Sequence, residues 1–352
     1  MIIPRRKTRT VKVGSLSTGG DFPVIIQSMC STRTEDVDAT VAQILGLEKE
    51  ECEMVRIAVP NFEAAANIPA IKSKIHIPLV ADIHFDYRLA LESIKQGADK
   101  IRINPGNIGG EDRMAQILRE AKRCGVAMRL GVNAGSLEQR LWDKYGRPSP
   151  EALTESALDW IKIFEKYEFT NFVISLKSSD VPETVRAYQL LALQCDYPFH
   201  LGITEAGLPP YGSIKSAVGI GALLLQGIGD TIRVSISADP VEEIKVCKQI
   251  LKSLHLYTKE PEVISCPTCG RIEIDLIKHV KEIESRLIKI GKPIKVSVMG
   301  CVVNGPGEAR EADWGIAGGR KQGVIFRKGK VVKWVAEDKL VDEFMKMVTS
   351  NE

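Results

Sequence analysis

The sequence predicts an α/β protein in which a (β/α)₈ barrel of the TIM type is followed by a small α+β domain. Its 352 residues fit a barrel of about 250 residues plus a module of about 100. Short β-branched runs alternate with helix-length amphipathic stretches up to about residue 255, and eight such runs occur. A polar, proline-containing stretch at 258–265 then interrupts the pattern and is typical of a linker. We therefore expect one domain over residues 1–258 and a second over residues 259–352.

The predicted barrel strands are defined by runs that are rich in branched aliphatic residues. They cover residues 23–29, 54–59, 78–85, 100–106, 127–133, 171–177, 198–205 and 231–237. Helices are predicted between them, for example over 38–51 and over 113–125, the latter closed by Gly125. A doubly wound open sheet would alternate in the same way, but no GxGxxG follows any strand, which weakens its usual nucleotide-binding form.

The second domain shows a different order of elements. The sequence predicts a helix over about 272–290, a strand over 294–300, a hairpin over 324–335 and a last helix over 338–348. This succession is that of a small α+β module.

Composition and charge exclude several classes of protein. The net charge of +3 is nearly balanced, and no Lys/Arg block indicates nucleic-acid binding. No apolar run reaches the roughly 18 residues that span a bilayer, and no apolar stretch follows Arg5 and Arg6 as a secretory signal would require. A cytosolic protein is expected, so its eight cysteines should stay reduced. Five of them are expected to be small buried hydrophobic residues: Cys30, Cys52, Cys124, Cys195 and Cys247.

Four predicted strands carry an arginine between two aliphatic residues. Because side chains alternate along a strand, each arginine should face the barrel interior while its neighbours face the helices. These arginines are Arg56, Arg102, Arg129 and Arg233. The same alternation places Asp82, His84, Asn104 and Ser235 inward, and it puts Lys177, Thr204 and Glu205 at carboxyl ends of strands, where barrel enzymes build their sites.

These charges do not balance. Interior arginines could pair with Asp82 and Glu205, but two carboxylates cannot neutralise four arginines and Lys177. Burying unpaired charge is costly, and a phosphate or carboxylate ligand would relieve that cost. A polyanionic small-molecule substrate is therefore expected. His84 fits either a satisfied polar contact or a phosphate contact, and residues 104–107 (NPGN) fit either a phosphate loop or a simple turn.

Three further cysteines form a candidate metal site. Cys266 and Cys269 are spaced C-x₂-C, and Cys301 follows a predicted strand. A structural zinc site usually needs a fourth S or N ligand, and His279 is expected to be a surface residue of a helix. Three thiolates would leave one iron of a cluster with a replaceable ligand, so both zinc and an iron–sulfur cluster stay open. Glu308 could be that weakly held fourth ligand, or an exposed glutamate at a helix start.

Motifs in almost every predicted strand resemble those of a known family. The resemblance extends from about residue 4 to about residue 345. The motifs are IQSM (26–29), ADIHFD (81–86), IRINPGN (101–107), LGVNAGS (130–136), LKSSD (176–180), GITEAG (202–207), VGIGALL (218–224), GIGDTIRVS (227–235), CPTCGR (266–271) and MGCVVNGPGEAREAD (299–313). With these motifs the chain resembles the 4-hydroxy-3-methylbut-2-en-1-yl diphosphate synthases of the non-mevalonate isoprenoid pathway, in their compact two-domain form.

The resemblance implies an iron–sulfur oxidoreductase. Its reaction would be the two-electron reductive ring opening of 2-C-methyl-D-erythritol 2,4-cyclodiphosphate, with loss of a hydroxyl as water, to give 4-hydroxy-3-methylbut-2-enyl diphosphate. A [4Fe–4S] cluster in the second domain would be held by Cys266, Cys269, Cys301 and Glu308. The diphosphate would contact Arg56, His84, Arg102, Arg129, Lys177, Arg233 and Ser235, with Asp82, Asn104, Asn133 and Thr204 nearby.

The resemblance also implies a role for Glu205 and a set of partners. Glu205 would lie near the reacting carbons, either delivering a proton or stabilising charge; many cations around it would lower the pKa of its carboxyl group and disfavour a simple general acid. Electrons would come from reduced flavodoxin or ferredoxin. A head-to-tail homodimer would share each active site between two subunits. Two other classes remain: a barrel lyase or transferase on a phosphorylated substrate with a structural zinc tail, and a cluster-sensing regulator that binds nucleic acid.

Overall fold

The computed structural model describes residues 4–302, 307 and 310–350. Glu308 therefore lies outside the described residues. The chain divides into two compact units, Met1–Leu256 and Tyr257–Glu352. This division falls close to the boundary expected between residues 258 and 259.

The first unit is a parallel barrel that follows a short antiparallel hairpin. The hairpin strands are β1 (Val11–Val13) and β2 (Leu16–Thr18). The barrel strands are β3 (Ile25–Met29), β4 (Met54–Ala58), β5 (Leu79–Ile83), β6 (Lys100–Ile103), β7 (Ala127–Asn133), β8 (Phe172–Lys177), β9 (His200–Leu201) and β10 (Thr231–Ile232). They pair in the order β8-β7-β6-β5-β4-β3-β10-β9. A parallel bridge between Ile174 of β8 and Phe199, directly before β9, joins the two ends of this order. The predicted barrel is confirmed.

Helices surround this barrel. They are α1 (Val37–Lys49), α2 (Phe62–Ala66), α3 (Ile68–Lys72), α4 (Tyr87–Lys95), α5 (Pro105–Ile108), α6 (Glu111–Cys124), α7 (Gln139–Tyr145), α8 (Pro150–Lys166), α9 (Val181–Ala192), α10 (Tyr211–Leu224) and α11 (Pro240–Ser253). Several begin at a capping carboxylate: the Asp36 side chain accepts from Ala39 N, and the Asp239 side chain accepts from Val241 N. The helix predicted over 113–125 is α6, and Gly125 ends it in the left-handed conformation at φ 69°.

Strands β9 and β10 are shorter than the predicted runs at 198–205 and 231–237. Between β8 and β9, the buried Tyr188 hydroxyl stands in place of regular backbone pairing. It accepts a hydrogen bond from Leu176 N at 3.0 Å and donates one to His200 O at 2.6 Å. On the other side of β9, a Cβ at Gly202 would lie 2.8 Å from the Arg233 carbonyl oxygen. Only glycine allows the two backbones to approach this closely.

The hairpin covers the amino-terminal end of the barrel. Val11 and Val13 are fully buried and share a core cluster with inward-facing residues near the strand starts, among them Met54 and Val80. This hairpin was not predicted, because two three-residue strands carry too short a pattern to be recognised in the sequence. Its position leaves the opposite, carboxyl end of the strands for a functional site.

The five scattered cysteines do not all behave as expected. Cys30, Cys52 and Cys247 are buried, as predicted, whereas Cys195 is partly exposed and Cys124 is exposed. For Cys124 the prediction was wrong because this residue ends α6, beyond the buried stripe of that helix.

The second unit is a mixed sheet packed against two helices. Its strands are β11 (Glu262–Ser265), β12 (Lys295–Met299), β13 (Trp314–Gly319), β14 (Gln322–Arg327) and β15 (Lys330–Ala336), paired in that order. The helices are α12 (Leu276–Ile290) and α13 (Leu340–Ser350). The first three strands are parallel, and the last two form the predicted hairpin.

Two expectations for this unit were wrong. The stretch 258–265 is not a linker throughout, because its last four residues form β11; this edge strand is only partly buried, which explains its polar appearance. His279 is not a surface residue: it lies on the packed face of α12 and is 7% exposed. Strand β13, which contains three glycines, was not predicted.

Candidate functional site

The predicted inward-facing cations occupy neighbouring strands of the barrel. Arg56, Arg102, Arg129 and Lys177 lie on β4, β6, β7 and β8, and Asp82 lies on β5 between two of them. Asp82 pairs in register with Arg102, and Arg102 pairs with Arg129. Arg56 and Lys177 pair in register with Val80 and Asn133 instead, but inward-facing side chains of all strands meet in the one barrel interior, so these groups converge there.

Asp82 is the centre of an ion-pair network. Its Oδ1 atom accepts from Arg102 Nη1 at 3.0 Å, and its Oδ2 atom lies 3.5 Å from Arg56 Nε and 3.6 Å from His84 Nε2. Burial alone would raise the pKa of Asp82, but Arg56, a hydrogen bond from His84, and Arg102 together hold that pKa well below its usual value. Asp82 is therefore a permanent carboxylate that orients two arginines and a half-exposed histidine.

No carboxylate in the described part of the chain contacts Arg129 in this way. Its side chain is fully buried, Nε donates to Ser175 Oγ at 3.0 Å, and Nη1 and Nη2 have no hydrogen-bond partner among the described residues. Burial, with Arg56 and Arg102 as further causes, lowers the pKa of Arg129 well below its usual value. Burial and the neighbouring arginines lower the pKa of Lys177 in the same way. An anion beside these two groups would offset the cost of their burial.

The second buried carboxylate of this region is Glu243, which sequence analysis missed. Its oxygens lie 3.4 Å from Arg233 Nη2, accept from Ile236 N at 3.2 Å, and accept from Ser28 Oγ at 3.3 Å. Burial raises the pKa of Glu243, and Arg233 opposes that change. The signal was available: Glu243 lies on the apolar stripe of α11, three residues after Pro240 and four before Cys247.

Glu205, which was the expected second partner of the arginines, lies elsewhere at the same end of the barrel. It is exposed, in the loop that follows β9, with φ at 53°. A glutamate in this left-handed region is strained, and such strain is concentrated at functional sites. Thr204 and Ser235, the latter beyond β10, are partly exposed near the same edge.

The two asparagines of the predicted site differ in their contacts. Asn104 caps the one-turn helix α5: its Oδ1 accepts from Gly106 N at 3.2 Å, and its Nδ2 donates to Ser136 Oγ at 2.5 Å. The NPGN sequence therefore forms a helical turn. Asn133 ends β7 and pairs in register with Lys177, and its buried Oδ1 atom has no hydrogen-bond partner among the described residues.

A second group of candidate residues lies in the second unit. Cys266 follows β11, and Cys301 follows β12 after a single residue, Gly300. Because β11 and β12 are parallel neighbours, both cysteines lie at the same edge of the sheet. Gly300 N donates to Cys266 Sγ at 3.2 Å. The loop that carries the exposed Cys269 then returns to this edge, where Glu273 N donates to Gly300 O at 2.9 Å.

The chemistry of these donors fits a soft, thiolate-bound metal centre. A backbone N–H that donates to a sulfur stabilises the thiolate form and is a common feature around iron–sulfur clusters. Among residues 4–302, 307 and 310–350, no three His, Cys, Asp or Glu side chains come together closely enough to hold a metal ion. The expected fourth ligand, Glu308, lies outside the described residues.

No helix in the described part of the chain is both long and apolar enough to cross a membrane.

Comparison with solved structures shows the fold of the first unit. Dihydropteroate synthase from Stenotrophomonas maltophilia superposes with a TM-score of 0.51 at 15% identity, over 70% of this chain and 98% of that chain. Type I 3-dehydroquinate dehydratase from Clostridium difficile gives a TM-score of 0.50 at 12% identity, again over 70% of this chain. At this level of identity only the barrel architecture is shared.

Comparison with families and curated relatives covers both units. The GcpE TIM-barrel domain matches residues 8–248, and the GcpE protein C-terminal domain matches residues 262–350. A 4-hydroxy-3-methylbut-2-en-1-yl diphosphate synthase (flavodoxin) from Caldanaerobacter subterraneus subsp. tengcongensis is 57% identical, over 99% of this chain and 98% of the relative. The enzyme of that name from Clostridium perfringens is 56% identical, over 98% of this chain and 99% of the relative. With both of its units matched at this identity, the chain belongs to the 4-hydroxy-3-methylbut-2-en-1-yl diphosphate synthase family.

Proposed function

We propose that this chain catalyses the reductive ring opening and dehydroxylation of 2-C-methyl-D-erythritol 2,4-cyclodiphosphate to 4-hydroxy-3-methylbut-2-enyl diphosphate. The observation that carries the proposal is Arg129, fully buried at the centre of the cation group with two unpaired guanidinium nitrogens. The names of the relatives supply the reaction and the electron donor, flavodoxin.

In this proposal the diphosphate binds where cations outnumber carboxylates. Asp82 neutralises part of the charge of Arg56 and Arg102, and Glu243 does so for Arg233. No carboxylate among the described residues pairs with Arg129 or Lys177; a bound diphosphate would favour their charged forms and accept charge-assisted hydrogen bonds from them, worth about 1.5–3 kcal/mol each. His84, Ser235, Asn104, Asn133 and Thr204 would complete the binding site at the carboxyl ends of the strands.

The second unit would hold the cofactor. Cys266, Cys269 and Cys301, with Glu308 as the exchangeable fourth ligand, would bind a [4Fe–4S] cluster. When bound, the cluster would supply single electrons and a Lewis-acidic iron to the reaction. The Gly300 N–H would stabilise the Cys266 thiolate.

Glu205 would act at the reacting carbons rather than in anion binding. Its exposed carboxylate does not share the ion pairs of Asp82 and Glu243, and it lies in the loop that follows β9, where its backbone is left-handed. Both roles stay open for it: it would either deliver a proton to the departing oxygen or stabilise positive charge that develops on the substrate.

The partners follow from the same proposal. Reduced flavodoxin, or ferredoxin in its place, would bring the electrons one at a time. Two chains would form a head-to-tail homodimer in which the cluster unit of one subunit serves the barrel of its partner.

The experiment is anaerobic incubation of the full chain with the cyclodiphosphate and a chemical reductant. We expect a linear allylic diphosphate as product. Arg129→Met should raise KM by about tenfold or more, whereas Arg119→Met, on the exposed face of α6, should leave KM unchanged. Cluster-containing protein that forms no linear diphosphate would contradict the proposal. Tightly bound zinc without the visible absorption of iron–sulfur would favour the lyase or transferase alternative.

A further inference from the structure

A further basic residue, Lys100, lies deeper in the barrel than the arginines, and the proposed reaction does not use it. Lys100 is on β6, two residues before Arg102, so both side chains point inward and Lys100 lies one layer below, by about 6–7 Å along the strand. Its side chain is completely buried. The inner layers of β/α barrels are usually filled by branched aliphatic residues, so an ammonium group at this depth needs an explanation.

The contacts of Lys100 are neutral. Its Nζ atom lies 2.8 Å from Met54 Sδ and 3.4 Å from Gln27 Oε1. The charged groups that influence it most are Arg129 and Arg56, both of the same sign, and no carboxylate among the described residues contacts it. Burial, followed by these two arginines, lowers the pKa of Lys100 well below its usual value.

The other polar residues of this layer offer no compensation. His200 Nδ1 forms one hydrogen bond with Thr231 Oγ1, at 2.8 Å. The Nε2 atom of His200 has no partner among the described residues. Burial, with Arg129, Lys177 and Lys100 as further causes, lowers the pKa of His200. A buried amine in such surroundings destabilises the free protein, because its desolvation is not offset by an opposite charge.

We infer that Lys100 is an electrostatic part of the diphosphate site, acting from beneath Arg129 without touching the ligand. An anion bound above Arg129 would favour the protonated form of Lys100, and in the low-dielectric interior the resulting positive charge attracts that anion over a distance of about 10 Å, enough to change affinity by about tenfold. Lys100 therefore lowers the stability of the free protein and strengthens the binding of the anion. This inference rests on the proposed function, because it requires that a diphosphate binds at the barrel mouth.

The inference predicts opposite effects of one substitution on stability and on affinity. Lys100→Met removes the amine but keeps the length of the side chain, so Tm should rise by a few degrees. The Kd for inorganic pyrophosphate at neutral pH, measured by calorimetry on the anaerobic full chain, should increase about tenfold. With the cyclodiphosphate, KM should rise while kcat changes little, because uniform binding is lost.

Two further variants make the test decisive. Lys95→Met removes the same charge from the exposed end of α4 and should change neither quantity. Lys100→Gln, whose amide can pair with Gln27, should weaken pyrophosphate binding even if the methionine variant folds poorly. An unchanged Kd in folded Lys100 variants would overturn the inference, as would a joint loss of Tm and affinity. If the wild-type chain fails to bind pyrophosphate at all, the proposed diphosphate site itself is wrong.

Discussion

Asp82 is the residue on which two arginines of the site depend. Its carboxylate is 2% exposed and contacts Arg56, Arg102 and His84. Replacing it by asparagine keeps the shape of the side chain but leaves two buried guanidinium groups without their counter-ion. We expect Asp82→Asn to lower the free energy of unfolding at neutral pH by about 3–5 kcal/mol, as measured by denaturant titration.

The same network predicts a dependence of stability on pH. Because the pKa of Asp82 is lowered in the folded protein, its contribution is complete above the unfolded value of about 3.9 and is lost as the pH falls toward the folded value. The wild-type chain should therefore lose stability below about pH 4 more steeply than Asp82→Asn. Asp21→Asn, at an exposed aspartate, should follow the wild-type curve. Parallel curves for the wild type and Asp82→Asn would show that the ion pairs contribute no stability.

Glu243 forms an ion pair with Arg233, a third arginine of the site, and the adjacent Glu242 provides a matched control. Glu243→Gln can still accept from Ile236 N but holds Arg233 less firmly, so the Kd for pyrophosphate should rise by about three- to tenfold. Glu242→Gln changes an exposed glutamate that pairs with Lys245, and it should have no effect. In an Arg233→Gln background the effect of Glu243→Gln should vanish. A full effect that persists in this background would mean that Glu243 does not act through Arg233.

At the scale of elements, strand pairing in the barrel is weakest between β8 and β9, and the Tyr188 hydroxyl joins these two strands. Tyr188 of α9 joins the Leu176 amide of β8 to the His200 carbonyl of β9, where the two strands share only a single bridge. Tyr188→Phe leaves both buried backbone groups unpaired and should destabilise the protein by about 1–3 kcal/mol. Tyr211→Phe removes a hydroxyl from a side chain that is 69% exposed and should be neutral in the same thermal-unfolding measurement.

The elements also show what the sequence could and could not predict. Each barrel strand buries both faces, so its aliphatic run is continuous, and the inward arginines stand out against it; this is why the barrel and Arg56, Arg102, Arg129 and Arg233 could be predicted. A charge on the apolar stripe of α11 marks Glu243 as unusual, but no local pattern identifies its partner Arg233, just beyond β10. Lys100 was missed because, in its run KIRINPG (100–106), only Arg102 lies between two aliphatic residues. Strand β11 resembled a linker because an edge strand is half exposed.

At the scale of the whole molecule, the two parts of the proposed site belong to separate compact units. The buried cations lie in Met1–Leu256, and the three cysteines lie in Tyr257–Glu352. Each unit has a hydrophobic core of its own, so a substitution at one site should leave the other unit folded. This independence allows the proposed sharing of the active site between subunits to be tested by complementation.

The test mixes two impaired variants. Arg129→Met should raise KM and Cys266→Ala should abolish cluster binding, so at a substrate concentration well below the wild-type KM each homodimer alone should keep about a tenth of the activity or less. If the cluster unit of one subunit serves the barrel of its partner, a mixed dimer contains one site in which both parts are intact. Random exchange of equal amounts should then restore about a quarter of wild-type activity, with the mixed dimer verified by native mass spectrometry of chains carrying different tags. The double variant mixed with wild-type chain gives the opposite result: the mixed dimer should be inactive if sites are shared, because each site then contains one substitution, and should keep half of the activity if each chain completes its own site. Mixed dimers of the single variants that remain inactive would contradict the shared site.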